Sequence, residues 1–449
     1  MENKKETDSQ PLSDGTSRKE SENVCLKREL GLPSAVSLIA GTMIGSGIFM
    51  SPQWVLYHMG SPGASLLIWA SCGLLAMLGA LSYAELGTVI KESGGEYIYI
   101  LRNSGPLLAF LLAYTSVIVV RPAGIAGISL SFAEYVVASF YPDCPSPTVA
   151  VKFTAAACIL VLGIINCLNV KLSTSIMNIF TTAKLLVLLL IIVGGMVLLA
   201  KGHTQGLQNA FDNTATGFGP VGVAFYQGLW SYDGWNNLNY VTEELKKPEV
   251  NLPRAVMIAI PLVTCVYLLV NVSYFVAMTP RELLSSDAVA ISWGVKLLGT
   301  WTWIISLGVA LSTFGSANGT FFTGGRLCYV AAREGHLIFI FPCSFTAWLF
   351  YGITIAGLLY MKIKKPDLPR PYKVPIVIPI IVQIASVYLV LAPIIGSPQL
   401  EYLYVVLFIL SGLIVYIPVV HYKWSPKCFR SVTLQLQLLL QVAPTNKND

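Results

Sequence analysis

The sequence predicts an all-α membrane protein that crosses the bilayer many times. Apolar residues make up 55% of its 449 residues and charged residues only 12%, about half the charged share of a water-soluble chain. Mean hydropathy is +0.67, and apolar runs of about 20 residues, enough for a helix through the hydrocarbon core, recur along the chain. The net charge of +6 is scattered over connecting segments, so a nucleic-acid surface has no basic patch to rest on.

Taken in order, residues 1–31 are polar, with acids and bases interleaved and no apolar stretch of a signal peptide, and read as a cytosolic tail. Eleven candidate spans follow: Leu32 to Tyr57, Ala64 to Ile90, Gly105 to Ala138, Val149 to Leu168, Ser175 to Ala200, Gly217 to Val241, Arg254 to Met278, Thr300 to Val330, Leu337 to Met361, Val374 to Ile395 and Tyr402 to His421. Residues 32–421 form one transmembrane domain, and residues 422–449 a second cytosolic tail. Lys27 and Arg28 abut the first span and place the N-terminus in the cytosol.

Two spans carry breaks. Gly41-Thr42-Met43-Ile44-Gly45-Ser46-Gly47-Ile48-Phe49 sets three glycines within seven residues of span 1, where a continuous helix favours Ala or Leu; close helix packing is the other use of such glycines. Gly228-Leu229-Trp230-Ser231-Tyr232-Asp233-Gly234-Trp235-Asn236-Asn237 sets glycines, an acid and amides in mid-span 6, an arrangement tolerated in a bilayer where it lines a cavity. Spans 1 and 6 open successive groups of five, the placement expected of two inverted repeats that each lend a discontinuous helix to a central site. The helix that resumes at Gly47 offers free N–H groups to a carboxylate. Carbonyls in span 6 suit an ammonium group. An α-amino acid carries both, which leaves Asp233 for a cationic side chain; its structural alternative is a pair with Arg121 or Lys184. Trp230 could cover the substrate's aliphatic part or simply pack.

Other signals carry less. Gly217-Phe218-Gly219-Pro220-Val221-Gly222 matches a dinucleotide fingerprint but follows a polar loop, and Pro220 removes a donor. Four dispersed histidines lack metal-ligand spacing, and no nucleophile–base arrangement stands out, so neither a metal, a cofactor nor an enzyme is expected. Asn271 and Asn318 head sequons buried in spans. Thr279-Pro280-Arg281-Glu282 reads as a capping box starting a loop helix through Leu283, Leu284 and Val289. Lys91 to Arg102 reads as an amphipathic cytosolic connector where Glu85 finds its partner. Lys184, about nine residues into span 5, is either paired or snorkelling to the interface. Arg121 has Asp233 or Glu134 as its candidate partner. Of nine cysteines, only Cys144 falls in an extracellular loop, Tyr141-Pro142-Asp143-Cys144-Pro145-Ser146-Pro147, where it is presented to another chain or stays unpaired.

The strings GTMIGSGIF (Gly41 to Phe49), SGGEYIY (Ser93 to Tyr99), FYQGLWSYDGWNNLNYVTEE (Phe225 to Glu244) and AAREGH (Ala331 to His336) resemble the light subunits of heteromeric amino-acid transporters, in the amino acid, polyamine and organocation superfamily. Asp233 within Tyr232 to Asn236 matches the type that takes cystine and dibasic amino acids. The resemblance implies a LeuT-like 5+5 fold of twelve spans in the plasma membrane, apical in epithelium. It implies sodium-independent exchange of external cationic amino acids and cystine for internal neutral ones. Met43, Ile44, Gly45, Ser46, Gly47 and Asp233 would bind substrate, Lys184 would stand in for a sodium ion, and Cys144 would be disulfide-linked to a glycosylated single-span heavy subunit.

Eleven crossings, however, put Lys362, Lys364, Lys365, Arg370 and Lys373 outside, and with them Lys423, Lys427 and Arg430, against the positive-inside rule. Either the segment before them fails to cross or a crossing is absent. The resemblance favours absence of the ninth span near residue 337, which would leave a transport-incompetent subunit that still pairs with the heavy chain. A proton-coupled symporter is the remaining alternative.

Overall fold

The computed structural model describes residue 28 and residues 30–141, 146–168, 170–286, 288–333, 346–396 and 400–422. Among these there is no strand; an isolated bridge joins Leu30 to Leu245. The helices, in order, are α1 (Leu32–Met43), α2 (Gly47–Met59), α3 (Pro62–Val89), α4 (Glu96–Ser104), α5 (Pro106–Thr115), α6 (Arg121–Ala138), α7 (Thr148–Leu168), α8 (Val170–Ala200), α9 (Phe218–Ser231), α10 (Pro248–Ala277), α11 (Pro280–Leu284), α12 (Val289–Leu298), α13 (Thr302–Arg333), α14 (Thr346–Lys364), α15 (Val377–Gly396) and α16 (Leu400–Val415). Among the described residues seven stretches are long and apolar enough to cross a membrane, and α1 with α2 makes an eighth as a bent pair. Of the other expected spans, α9, with 14 residues, and the apolar stretch Tyr402–Pro418 are shorter than a full crossing, and α14, with 19 residues, is not among the stretches that pass on length and apolarity together.

Polar contacts sort the helix ends onto two faces. On the first, Leu30 exchanges backbone hydrogen bonds with Glu244 and Lys246, Lys91 pairs with Glu249 at 2.6 Å, and Ser93 and Glu243 bond reciprocally. Glu85, fully buried, lies there too: Lys362 Nζ and the Val374 amide both donate to it at 2.7 Å, with Arg370 Nε at 3.6 Å. Its partners are therefore in the last turn of α14 and the loop to α15, not in the Lys91–Arg102 connector. On the second face the Gly63 amide donates to Ala210, and Lys296 pairs with Glu282 at 2.7 Å. The expected capping box is present, but α11 ends at Leu284 and a separate helix starts at Val289. Lys296, with the backbone and hydroxyl of Thr279, holds the Glu282 carboxyl down at about 2.

This sorting fixes the helix directions. α13 starts at the second face, passes Ser316 beside Ile44 and Thr323 beside Arg121, and heads for the first. α14 also runs toward the first face, where Lys362 meets Glu85. Two long helices that follow one another among the described residues thus run the same way, with residues 334–345 between them in the sequence. From α14 on alternation resumes: α15 returns, Tyr388 donating to Phe218 near the second face, and α16 descends into a π-helical turn, Tyr416–His421, whose Tyr416 lies against Phe110.

Candidate binding site between the two broken helices

The first break follows the glycines. α1 ends at Met43, Ile44 is extended at φ −73° and ψ 94°, and α2 starts at Gly47 with its axis turned by 47°. The same glycines also allow close packing, so both uses hold. A Cβ on Gly45 would meet Ser316 Oγ at 2.7 Å, and one on Gly47 would meet Ser231 Cα at 2.5 Å. Carbonyls freed by the break are satisfied from neighbouring helices. Lys184 Nζ donates to Gly41 at 2.6 Å and Ile44 at 2.7 Å, and the Tyr267 hydroxyl lies 2.6 Å from the Met43 oxygen and 2.9 Å from that of Ser231. Lys184 is 0% exposed, so it does not snorkel; nor does it meet Asp233, as it is committed to α1.

The second break begins where α9 stops at Ser231 and the chain turns through Tyr232 to Asn236 into a 3-10 helix, Asn237–Glu244. Gly234 sits at φ +101° with Thr42 Oγ1 2.8 Å from where its Cβ would be, so the turn needs glycine. Tyr232 is buried and donates to the Trp69 carbonyl at 3.1 Å.

A cavity of about 140 Å³, measured as room for water centres, opens between the breaks. Met43, Gly45, Ser46, Gly47, Trp230 and Asp233 line it. Ile44 does not: its side chain is fully buried and its carbonyl is taken by Lys184. Arg121 lines it as well, just after a π-helical turn, Ser116–Val120. Pro122 lacks the N–H that would close that turn on Ile118. The guanidinium donates to Thr323 Oγ1 at 3.3 Å, lies 5.0 Å over the Tyr240 ring, and interacts electrostatically with Asp233. The geometric contacts of Arg121 are thus Thr323 and the Tyr240 ring, and of its two candidate partners Asp233, not Glu134, is the acid it feels electrostatically, together with Glu96.

The sequence reading missed Glu96. It stands at the start of α4, 1% exposed, where its two carboxylate oxygens accept from Asn236 Nδ2 and the Tyr240 hydroxyl. The signal was Gly94-Gly95, both at positive φ, which turn a helix N-terminus inward and carry the acid into the cavity wall. Lys91 to Arg102 is therefore more than a solvated connector. Cys144 lies outside the described residues; Cys72, Cys158 and Cys265 are free thiols.

The model of the amino acid permease family matches residues 30–342. The chain belongs to that family. This permease is 50% identical over 460 aligned residues to "b(0,+)-type amino acid transporter 1" of Mus musculus, covering 94% of each chain, and 49% identical over 466 residues to that of Homo sapiens, covering 96% of each. It is 42% identical over 456 residues to "Large neutral amino acids transporter small subunit 2" of Mus musculus, across 93% of this chain and 86% of the other. With its apolar helices, the permease is a multi-pass membrane protein. The 460-residue alignment is longer than the 449-residue permease, of which it takes up only 94%, so it runs across positions that the permease lacks.

Proposed function

We propose that this permease is the light subunit of an amino-acid exchanger, bringing in cationic amino acids and cystine for neutral amino acids without sodium. The observation that carries this reading is Asp233 on the cavity wall between two broken helices, beside Ser46 and Gly47. The first N–H groups of α2 meet the substrate carboxylate, and Asp233 meets the cationic end of the side chain. Trp230 covers the aliphatic part. Lys184 holds the end of α1 through the Gly41 and Ile44 carbonyls and takes the place of a sodium ion there, which removes the need for sodium. Cys144 links the permease to a glycosylated single-span heavy subunit in the plasma membrane, apical in epithelium. The first face, which gathers Lys91, Lys246, Lys362 and Arg370, is cytosolic, as is the N-terminus.

Exchange of radiolabelled arginine against internal leucine, in proteoliposomes with sodium and then with choline, tests this reading. Equal uptake in both media supports it; strict dependence on sodium, or on a proton gradient, contradicts it.

The matching directions of α13 and α14 favour a second reading, that this form lacks one crossing and does not complete transport. Residues 334–345 are twelve, too few for a helix through a core of about 30 Å, and an extended crossing would leave backbone groups unpaired in lipid. Substrate then binds at an intact site but is not exchanged.

A further inference from the structure

We infer that Glu96 is a positioning residue that gives the cavity its preference for cationic substrates by competing with Asp233 for Arg121. This rests on the substrate site proposed above and extends it to a residue on a different element.

Among the described residues that line the cavity, the formal charges are Asp233, Glu96 and Arg121. Two acids against one base leave an excess of one negative charge. A neutral amino acid, a zwitterion, leaves that excess in place, while a dibasic one cancels it. In a site partly shielded from water such a mismatch is felt far more than in solution. Without Glu96 the balance changes: Arg121 and Asp233 satisfy each other, and a cationic side chain has to displace Arg121 from Asp233.

The geometry fits this division. Each Glu96 oxygen accepts one donated hydrogen bond, from Asn236 and from Tyr240, the acceptor-only role that an ionised carboxylate fills. Tyr240 joins the two charges, its hydroxyl on Glu96 and its ring face under the Arg121 guanidinium at 5.0 Å, a favourable seat for a cation. Arg121 interacts electrostatically with both acids. When a dibasic side chain reaches Asp233, Arg121 thus has a second carboxylate to turn to, and the chain that positions it is Glu96 through Tyr240.

The test is binding of radiolabelled arginine and leucine to the purified full-length chain in detergent, read as the ratio of the two Kd values. Glu96→Gln, nearly isosteric, lowers the preference for arginine about tenfold, while Glu96→Asp keeps it. Glu96→Gln combined with Arg121→Gln restores it, because Asp233 alone again leaves one excess negative charge; a merely structural role gives no such rescue. Should Glu96→Gln fail to fold, Arg121→Gln alone reads the same balance and raises the preference for arginine. An unchanged ratio in Glu96→Gln, or equal loss of both ligands in either single variant, overturns the inference. A wild-type chain that binds neither amino acid instead overturns the substrate site on which it rests.

Discussion

Gly47 and Ser231 meet backbone to backbone: a Cβ on Gly47 would lie 2.5 Å from the Ser231 Cα. The two broken helices touch at the edge of the cavity, and the Tyr267 hydroxyl bridges them through the Met43 and Ser231 carbonyls. Movement of one break is therefore felt at the other. Gly47→Ala forces α2 and α9 apart and is expected to destabilise the protein by about 1–3 kcal/mol. Thermal unfolding in detergent should show a lower midpoint, with arginine and leucine binding weakened alike; an unchanged midpoint would show that the contact yields easily.

Lys184 has a different task. Its ammonium group satisfies the Gly41 and Ile44 carbonyls inside the protein, and removing it leaves both unpaired at about 1–3 kcal/mol each. Lys184→Ala should therefore lose substrate binding, and sodium should restore part of it if a cation can occupy the vacated place. Undiminished binding in sodium-free buffer would contradict this role of Lys184.

Cys144 is expected to form the interchain disulfide. Non-reducing gels of the permease expressed with a heavy subunit should show a band that Cys144→Ser abolishes, while co-purification under mild detergent continues. A band that survives the substitution assigns the link to another cysteine.

Topology tests whether a crossing is missing. An epitope inserted in the loop 365–373 and another at Asp449 should both be reached only after the plasma membrane is permeabilised, on the same side as the N-terminus, because Lys362 and Arg370 meet Glu85 on the face that holds Leu30. Labelling of either tag on intact cells would mean that the alternation of spans is unbroken.

Much of this was legible in the sequence because bilayers impose strong rules. Apolar length marked the spans, and glycines beside polar residues in apolar surroundings marked both breaks to within a residue or two, since only backbone that lines a cavity is tolerated there. The clash of Lys362 to Lys373 with the positive-inside rule pointed to the region where α13 and α14 run in parallel. What escaped is what depends on tertiary approach. Glu96 looked like one acid among several in a polar connector; only the fold of α4 brings it to Asn236 and Tyr240. Glu85 gave no hint that its partners lie 277 and 285 residues further on. Lys184 offered depth and, in Asp233, a partner it does not meet, because the Gly41 and Ile44 carbonyls that hold it are groups every residue has. Ile44 was grouped with its neighbours although the local turn aims it away from the cavity.

The role expected of Asp233 is to select the substrate's side-chain charge. Its most direct test is equilibrium binding of arginine and leucine to wild-type protein and Asp233→Asn, since binding reads the site whether or not this form completes transport. The substitution should leave leucine affinity within about twofold of wild type and weaken arginine by on the order of 2–5 kcal/mol, the cost of stripping one partner from a partly desolvated pair. Loss of both ligands to the same extent would contradict that role and make Asp233 a structural partner of Arg121.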